Sequence, residues 1–371
     1  MVKEISIDLN RSVRSPFFLD SIFGIFAVLL RRIALLSKRD CGIDMLRFFA
    51  CCAVVGLHTF TKGTTLPSTV VYYTCGFAIP IFFMSSGAFL LNRGGVDYSY
   101  VAKKLCRLLV VLVLWASVIS VSFVLGKLMT GVGDAASVVS VFSSTLLGSL
   151  FQIGLLSHGW FLWALAIVYC FLPLLSNLSL KGKLSTFFLF TAFGGVLHAL
   201  SCVAGFPLES YIPQTFRVWI WFEYFLLGGL LYPLRNKFII PHMGTALIVT
   251  NIVAVAWQMF AGFYLMPEVA GSAHAEYFYD GLPCVILCAI IFMCFINLKT
   301  NLKLWVYLSS LTMGVYLLHM FVVRVVGHFI SLSDPVGASG VGFTVVLLIT
   351  FCVIGFLKKC FPKIYELYCE V

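Results

Sequence analysis

Charge is scarce in this 371-residue chain: Asp, Glu, Lys and Arg make up 11% of it, with 15 acidic residues against 25 basic ones. So little charge, beside a hydrophobic share of 61% and a mean hydropathy of +1.03, excludes an ordinary soluble domain, whose apolar share is roughly 45–50%. The net charge of +10 gathers in no basic domain or arm, so nucleic acid is not the expected partner. None of the 13 cysteines forms a CxxC pair. Most, including Cys51, Cys52, Cys284, Cys288, Cys294 and Cys352, fall inside apolar runs, where they read as small packing residues rather than bridges. No two histidines share a helix face at i and i+4 with a carboxylate nearby, so no metal site is expected; zinc or iron would need partners far apart in sequence. Phosphate loops and dinucleotide fingerprints are missing as well.

Long apolar runs are what the sequence has instead. Segments near spanning length cover residues 43–60, 69–91, 104–126, 158–177, 184–204, 214–233, 241–262, 281–297, 305–328 and 339–358. The fold class this predicts is an all-α, polytopic membrane helix bundle of about ten transmembrane helices. Val138 to Leu156 is ambiguous, apolar but rich in Ser and Gly, and reads as a re-entrant or surface helix. In the first forty residues the uninterrupted apolar part, Ser21 to Leu30, is too short to span and is followed by basic residues, so residues 1–40 read as a retained cytoplasmic or interfacial segment. Residues 41–360 then form the transmembrane domain and 361–371 a cytoplasmic tail.

Loop charge gives an orientation. One set of alternate loops holds Lys38 and Arg39; Arg93, Lys103, Lys104 and Arg107; Lys181 and Lys183; Arg235 and Lys237; Lys299 and Lys303; then Lys358, Lys359 and Lys363. The other set holds only Lys62, Lys127 and Arg217, together with Asp134, Glu209, Glu268, Glu276, Asp280 and Asp334. By the positive-inside rule both termini are expected in the cytoplasm and the opposite face is acidic.

The first span, IDMLRFFACCAVVGLHTF, carries Asp44, Arg47 and His58 in an otherwise apolar run. Ionisable groups in a span cost several kcal/mol and tend to face a bundle interior or a wet cavity. At about 100° and 1.5 Å per residue, Arg47 and His58 share a face and stand ~16 Å apart along the axis, Arg47 in the cytoplasmic half and His58 near the outer end. Arginine there suits an anion such as a phosphate, with snorkelling to headgroups as the structural alternative. Asp44 either orients the guanidinium or starts the helix at the interface. His58 can take and return a proton near neutral pH, or pack as a hydrogen-bonded core residue.

The order I-D-x-L-R followed ten residues later by His resembles the first helix of the acyltransferase 3 family of integral membrane acyltransferases. PIFFMSSGAFLL from Pro80 resembles the family's second-helix signature, and YVAKKLCRL from Tyr100 is similar to its basic approach to the third helix. HGWFLWALAIVYCFLPLL from His158 resembles the tryptophan-containing fourth helix of the branch that O-acetylates surface polysaccharides. Phe222 to Leu231 and Leu308 to His319 look like later segments. The likeness covers about residues 41 to 358. It implies transfer of an acyl group from cytoplasmic acyl-coenzyme A, usually acetyl-CoA as co-substrate, to a hydroxyl of a cell-envelope glycan or lipid-linked sugar, in a bacterial cell membrane. It also implies coenzyme A binding by Arg47, Lys104 and Arg107, and a role at the acyl transfer for His58, as base or as acyl carrier. Two departures touch the donor side: Lys104 stands where many members have arginine, and the proline that often follows the basic pair is absent.

Other polar residues carry two readings each. Glu223, beside Trp219, Trp221 and Tyr224, either pairs with a basic residue or binds acceptor hydroxyls. His158 and Trp160 belong to an aromatic belt or contact a sugar, by stacking on Trp160 or Trp163. Ser85 and Ser86, like Gly228 and Gly229, read as close helix contacts rather than nucleophiles. His319 and Arg324 read as support for the outer cavity, and His198, His242, His274 and His328 are assigned no role. The alternative function is a transporter or flippase for a sugar or anion, relaying protons through Arg47, Glu223 and His58; the lack of a repeat between residues 43–177 and 214–358 argues against it.

Overall fold

The computed structural model describes residues 40–60, 65–130, 138–237, 241–267, 274–300, 302–329 and 335–369. The expectations for residues 1–39, for Lys62, and for Asp134, Glu268 and Asp334 lie outside them. Every regular element among the described residues is helical. The chain is an all-α, polytopic membrane protein. Among the described residues, seven helices are long and apolar enough to cross a membrane by length and composition, and four further apolar helices are shorter.

All ten expected segments coincide with helical elements. The first is α1 (Cys41–Thr59). Next come α2 (Leu66–Thr74) and α3 (Ala78–Leu90), joined through a tight turn into one continuous span. Thr65 caps α2, accepting from the Ser68 backbone N–H, and Pro67 sits in its first turn, where no N–H is needed. The long α4 (Tyr98–Thr130) and α5 (Val138–Leu150) follow. The segment around 158–177 divides into α6 (Trp160–Cys170) and α7 (Leu172–Asn177), with Pro173 in the first turn of α7.

Ser179 caps α8 (Leu180–Ala204), which ends on left-handed Gly205. The helices α9 (Val218–Leu231), α10 (Met243–Phe260), α11 (Leu282–Ile296), α12 (Lys303–Phe329), α13 (Pro335–Cys360) and α14 (Pro362–Cys369) complete the chain. The last is no loose tail: Trp115 on α4 donates to the Tyr368 carbonyl at 2.9 Å, and Tyr365 is buried. The ambiguous stretch Val138 to Leu156 resolves into α5 and a turn, through left-handed Gln152 and Gly154, that re-aims the chain toward α6.

Burial sorts the spans. About 67% of the apolar window of Leu66–Leu90 is buried, against 17% for Leu180–Ala204 and for Ser339–Cys360, so α8 and α13 present most of their surface to the surroundings. The helix α1 sits among α3, α11, α12 and α13, and α3 makes its closest crossing with α9. That crossing depends on glycine. A Cβ on Gly87 would lie 1.8 Å from the Phe225 carbonyl oxygen, and one on Gly228 would lie 2.0 Å from that of Met84. Gly228 and Gly229, read as helix contacts, are therefore where two backbones touch.

All 13 cysteines are free thiols.

Candidate active site

The two depths expected along α1 have different surroundings. Near its start, Asp44 is buried and Arg47 is half-buried, its guanidinium 5.7 Å from the centre of the Phe89 ring on α3. Lys104 and Arg107, one turn apart on α4, are half-buried. Arg47, Arg93 and Arg107 all lie within electrostatic range of Lys104. The three residues expected to act together are thus neighbours, with Arg93 as a fourth cation. Like charges held this close favour an anion between them.

At the other end of α1, His58 lines a cavity of about 470 Å³, within the range of small-molecule sites. The wall mixes aromatic, polar and a few aliphatic side chains. Tyr72, Trp160, Tyr279 and Tyr316 supply ring faces; Gln152, Ser157, His158, Gln214, His274 and Glu276 supply donors and acceptors. The expected sugar-contacting pair, His158 and Trp160, is therefore in the wall. Trp160 is 5.2 Å, ring centre to centre, from Trp221, which stacks on Phe83 at 4.7 Å. Trp163 turns away and donates to Ser149.

Three histidines converge here. The His58 and His319 rings are 5.1 Å apart between centres, and those of His158 and His319 are 5.3 Å apart. Backbone carbonyls fix two of the tautomers, because a carbonyl oxygen only accepts. His158 Nε2 is 3.0 Å from the Leu317 carbonyl, so that nitrogen carries the hydrogen and Nδ1 keeps a lone pair. His319 Nδ1 faces the Tyr316 carbonyl, which leaves Nε2 bare. Among the described residues neither bare nitrogen has a hydrogen-bond partner, though both are buried. A buried acceptor left unsatisfied costs about 1–3 kcal/mol. The one on His158, in the cavity wall beside His58, suits a ligand rich in hydroxyl donors.

The far rim is tied by polar contacts between distant segments. Gln152 Oε1 accepts from the Gln214 N–H at 3.2 Å; Gln214 donates from its side chain to Glu276; Arg217 Nη2 lies 3.5 Å from Glu276 Oε1. The Tyr72 hydroxyl accepts from the Ala275 N–H at 3.2 Å. Burial, then the Glu276 charge, raises the pKa of the Tyr277 phenol, so it remains a neutral donor.

Other expectations fall elsewhere. Glu223 is fully buried on α9 near Thr191 of α8 and is not among the residues lining the cavity; among the described residues no basic partner accompanies it there. Ser86 lies beside Tyr169. Arg324 is exposed and donates to the Leu155 and Gly154 carbonyls, bracing the turn before α6. His198, assigned no role from sequence, meets Glu209 and Asp280 in a buried group. Sequence reasoning missed Gln152, Gln214 and Glu276 as wall components, and it read His319, which packs behind the wall against His58 and His158, as support for the cavity. A pattern signal was present only for His319, in YLLHMFVVR.

A family profile for an acyltransferase domain, of the acyltransferase 3 type, matches residues 41–357. Among curated proteins, an amino-acid racemase of Enterococcus faecalis is 37% identical over 68 residues, covering 18% of this chain and 10% of the relative. The aligned region thus spans about a tenth of that relative. No solved structure matches.

Proposed function

Because the chain belongs to the acyltransferase 3 family and is a membrane acyltransferase, we propose that it moves an acyl group, acetyl in the first instance, from acyl-coenzyme A to a hydroxyl of a cell-envelope glycan or lipid-linked sugar. The observation that carries this reading is the division of α1 between a cluster of cations at Arg47 and a polar, aromatic-walled cavity at His58. The basic loops argue that the Arg47 end and both termini are cytoplasmic, in the cytoplasmic membrane of a bacterium.

On this reading Arg47, Lys104 and Arg107 hold phosphates of coenzyme A, and Asp44 steadies Arg47. The acyl arm reaches along α1 toward His58. The acceptor sugar occupies the cavity, with Trp160 against an apolar ring face and the bare nitrogen of His158 accepting from a hydroxyl, while His319 packs behind His58 and His158. His58 takes the proton of one hydroxyl as that oxygen attacks the thioester carbonyl; the carbon–sulfur bond breaks, and the coenzyme A thiolate leaves and takes up a proton. Glu223, outside the cavity, supports packing rather than the acceptor.

The test is purified protein with labelled acetyl-CoA and a glycan extract. Label transfer is abolished in His58→Ala and retained in Ser86→Ala. Undiminished transfer by His58→Ala refutes the mechanism. A labelled enzyme that accumulates without acceptor and then passes its label to added glycan assigns His58 as carrier instead of base.

A further inference from the structure

Away from the catalytic cavity, three chain segments bring ligating side chains to one buried point. Lys183 on α8 reaches the Leu91 carbonyl after α3, which sets the start of α8 at the Arg47 end of the bundle and its finish at the His58 end. His198 lies on the last turns of α8. Beyond Gly205 the chain folds back, pinned by the Leu208 N–H donating to Ser201 Oγ at 3.0 Å, and returns Glu209 to the same helix. Asp280 arrives from the segment before α11. Gly194 makes room for it: a Cβ there would be 2.8 Å from Asp280 Cβ.

The three residues are 5%, 0% and 1% exposed, and one ligand atom from each lies within 4.8 Å of the others. His198 Nδ1 is 3.4 Å from Asp280 Oδ1. His198 Nδ1, Glu209 Oε1 and both Asp280 carboxylate oxygens are buried without a hydrogen-bond partner. The electrostatic neighbours of the Glu209 and His198 side chains are acids, with no lysine or arginine among the principal ones. Glu223 also feels Asp280. Buried carboxylates are normally paired with cations or bound to metal. Among the described residues the chain brings two carboxylates and an imidazole together and supplies no lysine or arginine.

We propose that His198, Glu209 and Asp280 form a binding site for a divalent first-row transition ion, with zinc as the reference occupant, that clamps the segment 275–281 to the end of α8. One nitrogen and two carboxylate ligands suit zinc, manganese or iron(II). They are too few oxygens for calcium and too hard for copper(I). Ser201 Oγ, 3.1 Å from Glu209 Oε2, orients that carboxylate and leaves Oε1 for the ion. The Trp257 indole donates to the other imidazole nitrogen, His198 Nε2, at 3.2 Å. Metal bound at Nδ1 shifts the ring hydrogen to Nε2, so the indole gives way.

The clamp matters because the segment it holds carries Ala275, Glu276 and Tyr279 of the cavity wall. It is structural and takes no part in the transfer chemistry, so the site stands or falls separately from the acyltransferase reading.

Metal content decides it. Full-length protein purified without a polyhistidine tag or chelator is analysed by inductively coupled plasma mass spectrometry, then stripped and titrated with zinc(II) and cobalt(II). The wild type retains near-stoichiometric metal and gives a visible d–d band with cobalt. Glu209→Gln and Asp280→Asn lose both, with affinity down by more than about 100-fold, since removing an outer-shell partner alone already costs 10–100-fold. If Asp280→Asn fails to fold, Glu209→Gln and His198→Gln carry the comparison, and the wild-type titration needs no variant. Stripped wild type that binds neither ion at micromolar concentration overturns the proposal, as does zinc retained equally by the variants, which would lie on the free cysteines. In that event the acids hold a proton instead: burial, and then Asp280, push the Glu209 carboxyl up to about 8.

Discussion

Replacing Gly228 with alanine tests the architecture beneath the cavity. The new Cβ would lie 2.0 Å from the Met84 carbonyl oxygen and 2.5 Å from its carbonyl carbon and Cα, where ordinary contact begins at 3.4 Å. Those are backbone atoms and cannot rotate aside, so α3 and α9 must part by more than an ångström. The neighbouring Phe83–Trp221 stack crosses this interface, and Trp221 in turn contacts Trp160 on α6. Overpacking of this kind costs about 1–3 kcal/mol, which lowers Tm by several degrees at about 2–4 °C per kcal/mol in large domains. A thiol-reactive dye reads the transition, because Cys284 and Cys288 are free and buried until unfolding. The control is Gly195→Ala on α8, where a Cβ meets nothing within 4 Å; helix propensity alone then stabilises by about 0.5–1 kcal/mol. Equal melting of Gly228→Ala and Gly195→Ala would refute the close crossing.

Four further outcomes follow from the site. Lys104→Ala and Arg107→Ala each raise KM for the acyl donor by about 10-fold or more, the worth of one charge-assisted contact, with acceptor KM unchanged in initial-rate assays. His319→Phe, which removes the bare Nε2, lowers kcat by about 10-fold or more while leaving donor KM unchanged. Trp160→Ala raises acceptor KM by about 3–10-fold through lost aromatic contact. Glu223→Gln leaves acceptor KM unchanged, because the carboxylate lies outside the cavity wall; a large rise would return it to the acceptor site.

Much of this was legible in one dimension because it lies on one helix. The eleven-residue interval from Arg47 to His58 fixes face and depth by helix geometry alone, and every expected span coincides with a helix because apolar length is a local property. Gly228 and Gly229 declared close contact by being small in a span. The rim of the cavity was not legible. Gln152, Gln214 and Glu276 come from three loops, and only the folded chain makes them neighbours. The ambiguous stretch Val138 to Leu156 contributes Gln152 through a left-handed turn that hydropathy does not register. Glu223 illustrates the converse: composition marks it as buried, but not whether it faces the cavity or α8. His198 had no constellation in sequence because its partners are 11 and 82 positions away.

The central claim is that α1 carries an acyl group from a donor at its Arg47 end to an acceptor at its His58 end. The most direct measurement uses sealed proteoliposomes containing glycan acceptor, with labelled acetyl-CoA added only outside and the protein oriented with its basic loops outward. Labelled, acylated glycan then forms in the lumen of wild-type vesicles and none with His58→Ala. Label that forms only when donor and acceptor share one side, or glycan that crosses the membrane unmodified, would contradict the central claim.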